Sequence, residues 1–316
     1  MVQYSIIIPT YNSSKTIVRL LDSFKQTKND FYEVIIVDDC STDETISVVD
    51  EYKQSSEMTI RVISKEKNSG PGVSRNMGIK AASGEYICFM DSDDYVSNSY
   101  FSAINKGLDM GAEVVYFNAY QVTGDNESPI FSKGYKTRED YIALTTGSLC
   151  MFCSKRSLWD GIELPPIKNA EDIAVIPVVM SRAKKIVSIP DYLYYYINNS
   201  HSLSNSYSPK ISENFMKSFS YTLKLIDRDK YVDQIEFHGI KTILYGATLN
   251  ALKANVDSTT LKKYWDSFTM EFPKWYNNRY LSNYPLKKKF FLFMVRFRLL
   301  FVLRLYTSLH TYLLNR

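Results

Sequence analysis

Tyr86-Ile87-Cys88-Phe89-Met90-Asp91-Ser92-Asp93-Asp94 joins a short apolar run to three carboxylates. The run reads as a strand buried in a parallel sheet, so the carboxylates fall at its carboxyl end. In an open α/β sheet that end is where ligands bind. Asp91 and Asp93, two positions apart, offer hard oxygen ligands suited to Mg²⁺ or Mn²⁺ carrying a diphosphate. An Asp-Ser-Asp triplet also begins helices and turns, so the surrounding chain has to decide between the two readings.

Upstream, Tyr4-Ser5-Ile6-Ile7-Ile8-Pro9 is a β-branched strand stopped by proline, and Asn12-Ser13-Ser14 supply capping residues for a helix beginning near Lys15. Glu33-Val34-Ile35-Ile36-Val37-Asp38-Asp39 is a second strand that ends in two carboxylates. Ser41-Thr42-Asp43-Glu44 then spells a Ser-x-x-Glu capping box for a helix running to about Gln54. A third strand, 59–64, leads through Asn68-Ser69-Gly70-Pro71-Gly72 to a short helix over 74–78. A fifth, 113–117, follows a polar helix near 98–110. Strands and helices alternating in this way predict βαβ units in a mostly parallel, doubly wound sheet. No Gly-x-Gly-x-x-Gly follows the first strand, which disfavours a dinucleotide-dependent dehydrogenase. Gly70 and Gly72 read as residues that shape a loop.

Together, Ile8-Pro9-Thr10-Tyr11-Asn12, Val37-Asp38-Asp39-Cys40-Ser41-Thr42-Asp43-Glu44-Thr45, Asn68-Ser69-Gly70-Pro71-Gly72-Val73-Ser74-Arg75-Asn76-Met77-Gly78-Ile79 and Asp91-Ser92-Asp93-Asp94 look like the family 2 glycosyltransferases with the GT-A fold. The resemblance covers roughly residues 1–205 and is strongest before 120. It implies an α/β, Rossmann-like, mostly parallel sheet with flanking helices. It also implies a UDP-sugar donor, with Pro9, Thr10 and Tyr11 lining the nucleotide pocket and Asp39 accepting a hydrogen bond from the uracil imide. Asn68 and Arg75 would lie near the nucleotide and diphosphate, Asp91 and Ser92 on the ribose side, and Asp93 on the metal, Mn²⁺ or Mg²⁺. An ionised carboxylate only accepts hydrogen bonds and so suits a base edge presenting N–H, whereas a guanidinium suits phosphate oxygens. An exposed helical arginine is the plainer alternative for Arg75. Asp43 reads as part of a helix start, and Asp94 as either a support for the metal site or a cap.

An inverting displacement needs a base for the acceptor hydroxyl and a cation for the departing diphosphate. Asn169-Ala170-Glu171-Asp172-Ile173 resembles the Glu-Asp motif of the same family, in which the aspartate is the usual base. Asp172 is the expected catalytic residue and Glu171 the second candidate; a charged first helical turn, favourable to the macrodipole, is the plainer alternative. Val175 stands where the family often has an aromatic. The segment 192–204, which contains Tyr192, Tyr194, Tyr195 and Tyr196, resembles the part that closes the catalytic domain. Ile197 and Asn198 replace the arginine often found there, and His201 is the candidate to take over a metal or phosphate role. The tyrosines suit either stacking on sugar rings or packing in a β-hairpin.

The 316 residues suggest one catalytic domain, 1–205, with a nucleotide-sugar half to about 120 and an acceptor half beyond it. A helical C-terminal region, 206–316, follows, with helical patterning over 211–226 and 235–252. Four cysteines do not read as a disulfide framework at this length, and Cys150-x-x-Cys153 has metal-like spacing without a second pair. The first strand begins almost at Met1, so no signal peptide and a reducing cytoplasmic setting are expected. Beyond Glu271 there are nine basic residues and no acidic one, which leaves 29 Lys+Arg against 34 Asp+Glu in the body. The stretch 290–306 is too interrupted by arginine to span a bilayer. The tail, 287–316, reads as a basic, aromatic-rich segment lying on an anionic membrane surface, peripheral at the inner face of the cell membrane. A helix for self-association or domain packing is the alternative, and no nucleic-acid motif accompanies the basic run.

These readings converge on a metal-dependent, inverting transferase. It would move a sugar from a UDP-sugar to a hydroxyl of a glycan or lipid-linked cell-surface polysaccharide precursor. The rival is a non-catalytic GT-A-fold subunit that assembles a membrane-bound glycosylation complex. The carboxylates at 39, 91, 93 and 172 favour the enzyme.

Overall fold

A computed structural model of the chain describes residues 2–27, 31–130, 135–145, 147–198 and 207–314, the last six by backbone only. Two compact units result: Met1–Arg138 with Thr146–Ser202, and Glu139–Thr145 with Leu203–Arg316.

The first unit is built on a sheet whose strands are β1 (Tyr4–Thr10), β2 (Tyr32–Asp38), β3 (Ile60–Ser64), β4 (Tyr86–Phe89), β5 (Tyr95–Val96), β6 (Val114–Thr123), β7 (Asn126–Ile130), β8 (Phe152–Lys155) and β9 (Ile186–Ile197). Their order is β3-β2-β1-β4-β8-β6-β9-β5, with β7 added beside β6. Every residue of β1 and β2 is buried, which is why both read as unbroken apolar runs. Each fully buried aliphatic side chain there contributes about 1.5–3 kcal/mol. Helices α1 (Ile17–Lys25), α2 (Thr45–Ser55), α3 (Pro71–Ala81) and α4 (Tyr100–Asp109) connect these strands. Gly78 lets α3 lie directly on β1, since a Cβ there would stand 2.3 Å from Cγ2 of Ile7.

Only the β3-β2-β1-β4 half is uniformly parallel. Beyond it β8 runs antiparallel to both β4 and β6, while β6 and β9 are parallel. The expected fifth strand is longer than its apolar run and folds back into β7 at Gly124, whose φ is 58°. The tyrosine-rich segment belongs to β9, a long strand paired with β6 and β5 instead of a hairpin of its own. Tyr195 stacks on Tyr95 and Tyr192 on Tyr120, with ring centroids 4.5 and 4.4 Å apart.

Two helix starts differ from expectation. Thr45 begins α2, and Asp43 rather than Ser41 accepts its N–H, at 3.0 Å. Ser41 instead donates its N–H and hydroxyl to Asp38, because the chain after β2 turns before it coils. Helix α1 starts at Ile17, and its first N–H groups go to the Ser13 carbonyl without a side-chain cap.

The second unit is helical. It contains α5 (Arg138–Leu144, its first residue in the sheet unit), then after α6 (Glu171–Arg182) of the sheet unit come α7 (Pro209–Leu225), α8 (Val232–Gly239), α9 (Thr248–Lys253), α10 (Ser258–Glu271), α11 (Leu286–Arg296) and α12 (Leu300–Leu314). A π-helical stretch, Ile240–Ala247, makes α8 and α9 continuous. Phe219, Phe237, Trp265, Phe268, Phe291 and Leu303 form its core. The tail that reads as one basic, aromatic-rich segment is broken at Arg298, whose φ is 55°, and returns as a helical hairpin. Its arginines find partners within the unit: Arg296 lies 3.5 Å over the Tyr276 ring, Arg298 pairs with Asp266, and Arg304 donates to the Val256 carbonyl at 3.0 Å. Among the described residues no helix is long and apolar enough to cross a membrane.

Candidate functional site

The carboxyl edge of β1, β2 and β4 gathers the motif residues. Pro9 is tolerated within β1 because Ile7, which points the same way, gives its carbonyl to Met90 where β4 ends, so the missing N–H faces no ladder partner. Thr10 is buried and its carbonyl accepts the Asp39 N–H at 2.7 Å, while Tyr11 stands 48 % exposed. Asp39 accepts from the N–H groups of Ser69 and Gly70 at 2.8 and 2.7 Å and pairs with Lys65 at 2.6 Å. Gly70 has φ 90°, a conformation that lets its N–H turn toward that carboxylate. Asn68, at the head of this loop, is exposed. Lys65 is a site residue that motif reading overlooks; the only signal was a lysine directly after an apolar strand.

Arg75 is the hinge of the arrangement. Buried on α3, it donates to Asp91 at 2.8 Å and to Glu171 at 2.5 Å, and so ties the loop after β4 to the start of α6. Its Nε has no hydrogen-bond partner. Such a doubly paired guanidinium is held firmly in its charged form: burial opposes the charge, but Asp91 and Glu171 outweigh it. Both ends of the side chain expected near the diphosphate are therefore engaged by carboxylates of the chain itself. Asn76, one residue on, donates to the Leu164 carbonyl and accepts the Leu164 N–H, fixing the approach to α6.

Ser92 shares a 2.7 Å hydrogen bond with Ser13. Asp93 is partly exposed, with its carbonyl held by Arg19. Asp94 is buried: it accepts the Tyr194 hydroxyl and the Ile197 N–H, and burial followed by the charge of Asp91 raises its pKa to about 8. The Tyr194 hydroxyl in turn accepts the Asp91 N–H at 3.2 Å, so one phenol braces both sides of the loop.

Asp172 is the second residue of α6 and is partly exposed. Loss of solvation, then the neighbouring Glu171, push its pKa up to about 8 against the pull of Arg75 and the Ile173 N–H, and Asp91 adds to the rise. Asp91 and the residue beside Asp172, Glu171, are held by the same guanidinium. Glu171 is buried and committed to Arg75. Ala170, just before, has φ 65°, and Asn12 and Cys40 after β1 and β2 are likewise left-handed, so strain gathers around this edge. His201 lies outside the described residues.

Among the described residues no group of three or more His, Cys, Asp or Glu is placed to cage a metal ion. The donor set at the loop is one partly exposed carboxylate, Asp93, beside Asp91, whose side chain is 40 % exposed. That set fits a hard cation shared with phosphate oxygens and water, which needs only one or two protein carboxylates.

Comparison with known proteins agrees with this geometry. Residues 5–158 match the model of glycosyl transferase family 2. The chain is 32% identical over 209 residues to a Staphylococcus aureus poly(ribitol-phosphate) beta-N-acetylglucosaminyltransferase, TarS, in an alignment covering 62% of this chain and 35% of that protein. It is 31% identical over 314 residues to a poly(ribitol-phosphate) beta-glucosyltransferase of Bacillus spizizenii, covering 94% of this chain and 48% of that one. The chain thus spans less than half the length of these relatives. The crystal structure of S. aureus TarS 1–349 with UDP-GlcNAc superposes with a TM-score of 0.72 at 25% identity, covering 98% of this chain and 92% of that one. A mannosyltransferase of Pyrobaculum calidifontis, solved with GDP-Man and Mn²⁺, shares the fold at a TM-score of 0.55 and 14% identity, covering 94% of this chain and 86% of that one. With the sheet order, the carboxylate edge and the matched domain in agreement, the chain belongs to the family 2 glycosyltransferases.

Proposed function

We propose that this protein transfers a sugar from a UDP-sugar to a hydroxyl of an anionic cell-wall polymer, with inversion at the anomeric carbon. The observation that carries the reading is the Arg75 bridge between Asp91 and Glu171, because it brings the diphosphate-side loop and the candidate base into one electrostatic site. The donor class follows the TarS complex with UDP-GlcNAc, and the acceptor class follows the poly(ribitol-phosphate) transferases it is similar to.

In this reading Pro9, Thr10, Tyr11, Asp39 and Asn68 line the nucleotide side, and Arg75 orients Asp91 and Glu171 rather than touching phosphate. Asp93 would hold a divalent cation, Mn²⁺ or Mg²⁺, which would offset charge on the leaving diphosphate. Asp172 takes the proton of the acceptor hydroxyl as its oxygen attacks the anomeric carbon. The bond from that carbon to the UDP oxygen breaks, and its electron pair leaves with UDP. A base with a pKa near 8 is matched to work at neutral to mildly alkaline pH.

The helical unit adds a peripheral contact with anionic lipid at the inner face of the cell membrane. Leu286, Phe290, Phe293 and Phe297 occupy one exposed face of α11, and the next helix exposes Phe301 and Leu305. The four free cysteines suit a reducing compartment on that side.

Calorimetric titration of UDP with and without Mn²⁺, on wild type and Asp93→Ala, tests the donor site. Metal-enhanced binding lost in the variant supports it; no UDP binding under either condition sinks it. UDP binding without turnover on any UDP-sugar favours the non-catalytic subunit.

A further inference from the structure

The helical unit places two lysines together with no acid among the described residues to balance them. Lys241 lies on the π-helical stretch, donates to the Thr145 carbonyl at 3.1 Å and sits 5.8 Å from the centroid of the Phe237 ring. Lys288, in the first turn of α11, lies over the rings of Tyr245 and Tyr284 at 4.8 and 5.3 Å. Tyr245 follows Lys241 by four residues and so shares its side of the helix. Among the described residues the ion pairs of this unit join Lys210 to Glu213, Arg228 to Glu271, Arg279 to Asp233 and Arg298 to Asp266, and none reaches Lys241 or Lys288.

Poorly solvated ammonium groups without a counter-charge are costly. The strain shows in both: burial and then Lys288 bring the pKa of Lys241 down to about 7, and burial lowers that of Lys288. Among the described residues no carboxylate counters either shift. A bound anion would relieve both, and π-helical turns of this kind recur at functional sites.

We propose that Lys241 and Lys288 bind a phosphodiester of the acceptor polymer, with Tyr245 and Tyr284 walling the site. This rests on the acceptor class proposed above. The position of Lys288 favours a polymer strand over a bilayer. At about 100° per residue, Lys288 falls roughly 200° around α11 from Leu286 and Phe290. A membrane resting on that exposed apolar face would leave Lys288 turned away. A flexible strand can thread a single phosphate into a half-buried site, and two ammonium groups match its charge-assisted hydrogen bonding.

The full-length chain, titrated with a synthetic ribitol-phosphate oligomer, tests the proposal. Lys241→Met and Lys288→Met keep side-chain volume and remove poorly solvated charge, so both are expected to fold. Each should weaken oligomer binding by roughly tenfold. Lys287→Met, an exposed neighbour, should leave it within about twofold. UDP titration of the same samples reports on the sheet unit. The proposal is overturned if wild type binds UDP but no oligomer, or if the double lysine variant binds oligomer as wild type does. It is also overturned if the two variants lose affinity for phosphatidylcholine–phosphatidylglycerol vesicles while oligomer affinity stays unchanged. Loss of UDP binding with lysine-dependent oligomer binding intact would remove the donor reading and leave this site standing.

Discussion

In the sheet unit Lys65 lies 2.6 Å from Asp39, and Arg75 spans Asp91 and Glu171. In the helical unit Lys241 and Lys288 face aromatic rings and a carbonyl, with no acid against them among the described residues. On the proposed reading the two arrangements solve different problems. A site that must receive a diphosphate with its cation needs carboxylates already oriented, so its own cations are spent on holding them. A surface that must receive a polyanion gains by leaving cations unbalanced until the ligand arrives.

The largest expected effect tests the carboxylate side. Asp172→Asn should lower sugar transfer by about 10²–10⁴-fold while leaving UDP affinity nearly unchanged. Comparable turnover of the variant in a UDP-release assay would place the base elsewhere. In wild type, kcat should rise about tenfold per pH unit below a pKa of about 8 and level off above it. The same carboxyl works against the fold as pH rises. Because the folded chain holds that proton more tightly than the unfolded one, its stabilising contribution is complete below the ordinary value of 3.8 and is lost as pH climbs through 8.

Next in size is Arg75→Met. Removing a cation shared by two acids, one of them buried, should cost about 3–5 kcal/mol, read as a fall in the denaturation midpoint. A change below about 1 kcal/mol would mean that Asp91 and Glu171 do not depend on it. The sharpest contrast comes from one substitution made twice. Lys65→Met strands Asp39 and should cost about 3 kcal/mol, whereas Lys241→Met removes a cation with no counter-charge and should gain about 1 kcal/mol. Equal signs in thermal melts would erase the distinction between the units. Smallest is Ala170→Gly, which should relieve a left-handed alanine and raise stability by about 1 kcal/mol.

The legible part of the fold was the part governed by local pattern. Strands β1 and β2 are buried throughout and β4 over three of its four residues, so their apolar runs mark them, and the carboxylates after β2 and β4 follow from the topology. The antiparallel half was hidden because β8 is four residues long, and because β6 continues into polar sequence past Phe117. The Arg75 bridge reaches across 16 and 96 residues, and no periodicity carries a contact of that range. Lys65 escaped notice for the same reason, since its partner Asp39 lies on the neighbouring strand's exit. The continuous aromatic and aliphatic character of 290–306 on either side of its arginines concealed a turn that only the packing of both tail helices requires.

The Tyr194 hydroxyl, which holds Asp91 and Asp94 from the far end of the sheet, also orders the events of synthesis. All four motif segments leave the ribosome before residue 95, yet the loop that ends them is braced by a strand translated about a hundred residues later. Contacts of such span form late, after the loop-closure entropy has been met. A nascent chain ending before β9 would carry all four of those segments and lack the brace that sets their geometry, so this edge matures only once most of the sheet unit has been made.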